Sequence, residues 1–121
     1  MADDSEFITK LISFGLSEKE AQLYFYLLKY GAKPSSLLAK PLKTYREDVY
    51  RTVTSLIDKG MVNPSLKSPT VYSAVELDIA LDAAIKKHES ELRVMEPKKQ
   101  ELQEISKQRQ FGPSDEFPTL K

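Results

Sequence analysis

The sequence contains no cysteine, one histidine and four glycines among 121 residues. Without cysteine it has neither disulfides nor thiolate metal ligands. The glycines are scattered at positions 15, 31, 60 and 112, so there is no glycine-rich loop to hold a phosphate. The sequence around His88, HESEL, is not the HExxH zinc motif. We therefore predict that the protein is not an enzyme and holds neither a metal nor a cofactor.

Long hydrophobic runs are also absent. No apolar stretch approaches the roughly 18 residues that a membrane-spanning helix needs. The N-terminal sequence MADDSEF is acidic, unlike the basic start of a signal peptide. We expect a cytoplasmic protein with no membrane partner. A chain of this length has room for one domain, with an additional helix, and can bury a core without cross-links.

The formal net charge is zero, so the protein is not basic throughout. The charge is nevertheless unevenly distributed, because residues 33–59 contain six basic and three acidic residues and the segments on either side are slightly acidic. A modest positive centre suits a surface that faces phosphates. Ordinary scatter of surface charge explains the same counts equally well.

The first third of the chain is predicted to form two helices. The first has an apolar face at helical spacing, made of Phe7, Ile8, Leu11 and Ile12. The second begins at Ser17, with Glu20 placed to complete a capping box, and ends at Gly31. This second helix is apolar on most sides, which indicates a central core helix.

A short third helix is predicted at Pro34–Ala39, ended by Pro41. A longer helix, Thr44–Gly60, follows after a turn of a few residues. Thr44 and Glu47 fit a second capping box, and Gly60 fits a left-handed C-terminal cap. A short helix, a turn and a longer helix with a polar face form a helix-turn-helix.

The helix at 44–60 has two distinct faces. Its apolar stripe consists of Val49, Val53 and Leu56. At about 100° per residue, the opposite face and its flank carry polar and basic side chains: Arg46, Glu47, Tyr50, Arg51, Thr54 and Asp58. One face is therefore core and the other is a hydrogen-bonding surface, as in a recognition helix for DNA.

The pattern changes to β after Gly60. Residues 71–75 alternate at period 2, and Asn63-Pro64 and Ser68-Pro69 are turn signals. We predict two short antiparallel strands joined by a loop of about seven residues. A hairpin at 61–75, directly after a recognition helix, is the wing of a winged helix.

Residues 76–110 are predicted to form a long helix that is kinked near Pro97. Residues at four- and three-residue steps form a seam like that of a coiled coil: Leu81, Ile85, His88, Leu92, Met95 and Leu102. This seam predicts a homodimer. The segment 111–121 has two prolines and no periodicity, which indicates disorder.

Several blocks of sequence resemble the DNA-binding domain of TrmB-type archaeal transcription regulators: GLSEKEAQLYFYLLKYG, LLAK, VYRTVTSLIDKGMV and VYSAV followed by a long helix. The resemblance covers about residues 7–95. It implies a winged-helix dimer that binds promoter DNA and pairs through the helix after the wing. It also implies that Arg46, Tyr50 and Arg51 match the family's arginine and tyrosine-arginine positions in the recognition helix.

The sequence departs from this family in three respects. The family's turn has Gly and then Pro where this chain has Lys43 and Tyr45, and a positive φ at Lys43 would cost on the order of 1 kcal/mol. Glu47 and Asp48 place acids where the family has small or basic residues. The chain also stops before the sugar-sensing domain of many family members, so we expect no small-molecule ligand domain.

The sequence thus predicts a mainly α protein with a small β-hairpin: a winged helix-turn-helix domain at 1–75 followed by a dimerisation helix. We predict a sequence-specific transcription regulator whose partner is double-stranded DNA, with Arg51 as the guanine contact. Glu47 either accepts from cytosine or only caps Thr44, and the cap is the favoured reading. The predicted DNA-binding residues are Ser35, Ser36, Lys40, Lys43, Tyr45, Arg46, Glu47, Tyr50, Arg51, Thr54 and Lys67.

The alternative is a winged helix that binds proteins within a transcription or repair assembly. The near-neutral net charge and the acids on the outward face of the 44–60 helix favour it, as does a wing whose one basic residue is Lys67.

Overall fold

The computed structural model describes residues 3–109. Within that range the chain forms four α-helices, one 3-10 helix and three short strands. In order they are α1 (Asp4–Ile12), α2 (Glu18–Tyr30), β1 (Lys33–Pro34), the 3-10 helix (Ser35–Leu37), α3 (Arg46–Asp58), β2 (Val62–Pro64), β3 (Val71–Ala74) and α4 (Leu77–Arg109). The predicted fold, a helix-turn-helix with a wing and a long final helix, is confirmed.

Helix α2 begins and ends where the sequence predicts. The Ser17 hydroxyl accepts from the Glu20 amide at 3.1 Å, and the Glu20 carboxylate accepts from the Ser17 amide at 2.7 Å. This reciprocal pair satisfies two amides that lack partners within the helix. Gly31 follows the last turn with φ of 88°. Ala21, Leu23, Tyr24 and Leu27 of α2 are buried in the core, whereas Leu28 and Tyr30 are exposed.

The prediction of an α-helix at Pro34–Ala39 is wrong. Lys33 and Pro34 are extended, and only Ser35–Leu37 make a single 3-10 turn. The cause lies about 40 residues away, because Lys33 pairs with Tyr72 and Pro34 with Val71 in β3. This pairing adds a third strand that the sequence did not predict.

The three strands form an antiparallel sheet in the order β1-β3-β2. Pro34 and Pro64 lie on its two edge strands, where a missing amide hydrogen costs no central ladder bond. The predicted hairpin of β2 and β3 is confirmed, with Val62 opposite Ala74. The buried Tyr24 hydroxyl donates to the Val75 carbonyl at 2.8 Å and so ties α2 to the end of β3.

The end of α3 is set by Gly60, as predicted. Gly60 has φ of 76°, its amide bonds to Ile57, and the Met61 amide reaches back to the Leu56 carbonyl at 2.9 Å. This is the Schellman motif, with buried apolar residues at its two ends. Leu56 and Met61 are both fully buried. The motif turns the chain directly into β2.

Helix α4 runs from Leu77 to Arg109 without a break at Pro97, so the helix does not restart there. A kink at Pro97 stays a prediction. The chain divides into two compact units after Lys87. In the first, Ala80 and Ala84 of α4 are buried. The predicted disordered tail at 111–121 lies outside the described residues, as does residue 110.

The core of the first unit joins residues from α1, α2, α3, β2 and the start of α4. Its largest fully buried side chains are Leu23, Tyr24, Leu27, Leu38, Val49, Val53, Leu56, Met61 and Val62. Between residues 3 and 109, Glu20 is the one buried charged residue. No helix of this range is long and apolar enough to cross a membrane.

Candidate nucleic-acid interface

Helix α3 separates its apolar and polar residues as the sequence predicts. Val49, Val53 and Leu56 are buried against the core. The side chains predicted for DNA contact on this helix are all exposed: Arg46, Glu47, Tyr50, Arg51 and Thr54. The helix therefore presents a surface that can donate and accept hydrogen bonds while its other side fixes its position.

The turn before α3 brings Lys40 and Lys43 to the surface close to the start of that helix. The Lys43 amide bonds to the Lys40 carbonyl at 3.1 Å, and the Thr44 amide bonds to the Ala39 carbonyl at 3.0 Å. Lys43 has φ of 52°. This is the left-handed conformation considered for Lys43 from the sequence, because the family that the chain resembles has glycine at this position. The turn thus has Schellman-type bonding with a lysine where glycine is preferred.

The other predicted DNA contacts lie at either side of α3. Ser36 and Tyr45 are exposed, and Ser35 is half-buried at the start of the 3-10 turn. Lys67 is exposed in the loop between β2 and β3. That loop is closed by the Ser65 amide, which donates to the Val71 carbonyl at 2.8 Å.

The predicted capping box of Thr44 and Glu47 is wrong. Helix α3 begins at Arg46, and the residue at its N-cap is Tyr45, which has no side-chain capping bond. The Thr44 amide closes the preceding turn, and its hydroxyl lies 3.4 Å from the Asp48 carboxylate. The favoured reading of Glu47 as a cap therefore fails, and this exposed carboxylate stays available as an acceptor.

Asp48 forms an ion-pair network that the sequence did not predict. Its Oδ1 lies 2.5 Å from Arg51 Nη2, and its Oδ2 lies 3.3 Å from Lys19 Nζ of α2. The hydrogen bond from Lys19 is the main cause that lowers the pKa of Asp48, and Arg51 adds to it. The pair with Arg51 has the helical i, i+3 spacing, but Lys19 lies 29 residues earlier.

A second ion-pair network engages one of the basic side chains of the positively charged segment 33–59. Lys59 Nζ donates to the Glu20 carboxylate at 2.8 Å and to the Gly15 carbonyl at 3.3 Å. The Ser55 hydroxyl donates to the other oxygen of Glu20. Burial raises the pKa of Glu20, but the hydrogen bonds from Lys59, the Ser17 amide and Ser55 outweigh burial and leave the pKa lowered. Lys59 therefore anchors α3 to α2 and does not add to an outward-facing patch.

The predicted dimer seam on α4 is exposed over most of its length. Leu92 is 62% and Met95 59% exposed, and Ile85 and Leu102 are also exposed. His88 lies 3.8 Å from Glu91 on the same helix. Leu81 differs from the other seam residues, because it is half-buried against the core of the first unit. It also lines an apolar cavity of about 360 Å³ between α1 and α4, with Phe7, Leu11, Phe14 and Leu77.

Comparison with known sequences gives a match to one family. The family described as "Sugar-specific transcriptional regulator TrmB" matches residues 11–78, more than half of the chain. The HTH-type sugar sensing transcriptional regulator TrmBL1 of Pyrococcus furiosus is 30% identical over 79 residues, which cover 65% of this chain and 23% of that protein.

Several solved structures of similar fold are described as regulators or as DNA-binding proteins. One is TrmBL2, an archaeal chromatin protein described as showing a novel mode of DNA binding. It matches 92% of this chain and 46% of its own, with a TM-score of 0.67 and 22% identity. Another is a possible transcriptional regulator from Methanosarcina mazei, with a TM-score of 0.57 and 17% identity over 82% of this chain and 88% of that one. The chain thus spans less than half of the length of both TrmB-like proteins that it matches.

Proposed function

The chain belongs to the TrmB family of transcriptional regulators, and on this basis we propose that it binds double-stranded DNA in a sequence-specific manner as a homodimer. In the proposed complex α3 lies in the major groove. The observation that carries the proposal is the division of α3 into a buried apolar face and an exposed face. That exposed face holds Arg46, Tyr50, Arg51 and Thr54.

The exposed side chains divide into base-reading and phosphate-binding groups. Arg51 contacts guanine, since its planar guanidinium matches the O6 and N7 acceptors. Glu47 accepts from a cytosine amino group, because the capping role it was predicted to have is not formed. The phosphate contacts come from the turn, the start of α3 and the wing, and comprise Ser35, Ser36, Lys40, Lys43, Tyr45, Arg46, Tyr50 and Lys67.

The dimer of the proposal forms through the seam of α4. The exposed apolar residues Ile85, Leu92, Met95 and Leu102 would be covered by the same residues of a second copy. Two copies of α3 then address two half-sites on one duplex. The dimer thus reads two half-sites instead of one, while the contact surface on each protomer stays the same.

A protein-binding role is the second candidate function. Two exposed tyrosines, Tyr45 and Tyr50, lie on the α3 surface, and aromatic residues of this kind are enriched in protein interfaces. Asp48 neutralises part of the cationic charge beside them. A surface of this composition suits a partner protein whose contact patch is apolar.

The two functions differ in how binding depends on salt. We expect fluorescence anisotropy with a random 30-base-pair duplex to detect binding that weakens as the salt concentration rises. Each phosphate contact contributes about −0.9 to the slope of log K against log salt. Four basic residues of the surface form no ion pair in residues 3–109, namely Lys40, Lys43, Arg46 and Lys67. The slope should therefore be about −4 per protomer.

Two lysine variants make this test specific to the surface. Lys40→Gln should reduce the magnitude of the slope by about 1. Lys98→Gln removes the same charge from an exposed position on α4 and should leave the slope unchanged. Absence of salt-sensitive binding at low salt would contradict the DNA proposal and favour the protein-binding function.

A further inference from the structure

The carboxylate of Asp48, on α3, accepts hydrogen bonds from α2, from the turn before α3 and from an arginine of α3 itself. Its side chain is 24% exposed, whereas that of its partner Arg51 is 76% exposed. The two carboxylate oxygens have separate partners: Oδ2 accepts from Lys19 and Thr44, and Oδ1 accepts from Arg51. Asp48 is therefore fixed from behind by α2 and the turn, and one oxygen remains for the arginine in front.

An arginine held in this way differs from a free one in two physical respects. Ordering a long side chain on binding costs conformational entropy, so an arginine that is already ordered loses less on reaching a base. The carboxylate of Asp48 also reduces the attraction of Arg51 to phosphates. That attraction is the same for every DNA sequence. Both effects favour specific over non-specific binding.

The guanidinium keeps enough donors for a base. Arginine has five N–H donors, and the structure gives one nitrogen, Nη2, a carboxylate partner. A bidentate contact with guanine needs two donors. The exposed part of Arg51 can therefore read a base while Asp48 still holds it.

We propose that Asp48 is the positioning residue for base reading by Arg51, and that it raises sequence selectivity while lowering affinity for random DNA. This rests on the proposed function of α3 as a DNA-reading helix. An acidic residue in a DNA-binding surface is ordinarily expected only to weaken binding. In this proposal Asp48 weakens the general attraction to DNA and improves discrimination between DNA sequences.

The first part of the test needs no DNA. In nuclear magnetic resonance spectra of the full chain labelled with ¹⁵N, the Arg51 guanidinium should show slow rotation and resolved Nη signals. Asp48→Asn should give fast rotation and averaged signals. Asp58→Asn removes a carboxylate from an exposed position at the end of α3, and should leave the Arg51 signals as in the unaltered protein. Fast rotation of Arg51 in the unaltered protein would overturn the proposal, whether or not the protein binds DNA.

The second part compares a random 30-base-pair duplex with a duplex that the unaltered protein selects from a random pool. We expect Asp48→Asn to bind random duplex more tightly and the selected duplex less tightly, so that the ratio of the two affinities falls by about tenfold, within the contribution of one bidentate arginine–guanine pair. Asp58→Asn should shift both affinities together and keep the ratio.

Arg51→Ala separates positioning from a general charge effect. If Asp48 acts through Arg51, adding Asp48→Asn to Arg51→Ala should not reduce the ratio further. A tenfold loss that persists in the absence of Arg51, or an unchanged ratio in Asp48→Asn with its circular dichroism spectrum intact, would overturn the proposal. Failure of the unaltered protein to bind any duplex would instead contradict the proposed function, and the resonance measurement would still decide whether Asp48 holds Arg51.

Discussion

Lys43 is the residue at which the chain accepts strain to form the turn before α3. Its φ of 52° places a side chain in the left-handed region, where the Cβ crowds the backbone. The conformation persists because the amides of Lys43 and Thr44 both gain carbonyl partners in the turn, at 3.1 and 3.0 Å. A lysine at this exposed position also supplies a cation beside the start of α3, which glycine would not.

Lys43→Gly should stabilise the fold. Glycine removes the left-handed strain, worth about 1–2 kcal/mol, and returns part of that gain as entropy of the unfolded chain. We expect the free energy of unfolding to rise by about 0.5–1 kcal/mol. Urea denaturation followed by circular dichroism measures this change.

Lys40→Gly is the matched control for this prediction. Lys40 is also exposed and carries the same charge, but its φ is not among the positive values of the described residues. Glycine there should lower the free energy of unfolding by about 0.5–1 kcal/mol. Equal changes of the same sign in the two variants would show that Lys43 is not strained.

At the scale of the elements, Glu20 connects the start of α2 to the end of α3. It caps α2 through the Ser17 amide and accepts from Ser55 and Lys59 of the other helix. The apolar core contact of α3 is non-directional. This buried carboxylate, together with the more exposed Lys19–Asp48 pair, therefore restricts the rotation of α3 about its axis. That rotation decides which side chains face outward.

Acid should weaken the fold through Glu20. Its pKa is lower in the folded protein than its ordinary value of 4.5, so the folded state binds the proton less tightly than the unfolded chain does. Its stabilisation is thus fully present above pH 4.5 and is lost as the pH falls through the lower, folded pKa. The free energy of unfolding should decrease across this acidic range.

Glu20→Gln should reduce this dependence on pH and destabilise the protein at neutral pH by about 2 kcal/mol, the scale of a hydrogen-bonded charge. The dependence should not disappear, because the pKa of Asp48 is lowered as well. Glu18→Gln, two residues earlier at the exposed first position of α2, should change stability by less than about 0.5 kcal/mol. Urea denaturation at a series of pH values measures both variants, and an unaltered pH profile in Glu20→Gln would contradict the assignment.

The elements that the sequence predicted correctly have local causes. Ser17 and Glu20 are three residues apart, and the Gly60 motif is complete within six residues, so each can be read from neighbouring letters. Most of the features that it missed depend on distant partners. Strand β1 exists because Lys33 meets Tyr72, and the two ion-pair networks join α2 to α3. Thr44 was assigned the wrong role because the predicted turn extends through Thr44, whose amide bonds to Ala39, and α3 begins only at Arg46.

At the scale of the whole molecule, the proposed selective binding would require two protomers, each of which binds DNA weakly by itself. The α3 surface carries acids at Glu47 and Asp48, and Lys59 is engaged with Glu20. One protomer therefore offers few phosphate contacts. Linking two readers makes the second contact intramolecular and raises the overall affinity without any new contact, which gives the α4 seam its proposed role.

Replacement of a seam residue by a charge should separate the protomers. In the predicted dimer, Leu92 and Met95 occupy successive inward positions, so a glutamate at 92 would be buried opposite a second copy of itself. We expect the unaltered protein to sediment at about twice its mass of 13.8 kDa at micromolar concentration. Leu92→Glu should sediment as a monomer with its circular dichroism spectrum preserved, because the Leu92 side chain is exposed within one protomer. Val94 is 52% exposed on the same helix but lies off the seam, so Val94→Glu adds the same charge and should remain a dimer. In the anisotropy measurement Leu92→Glu should also lose most of its affinity for the selected duplex, whereas Val94→Glu should keep it.

A monomeric mass for the unaltered protein, or equal dissociation in both variants, would show that α4 does not pair through this seam.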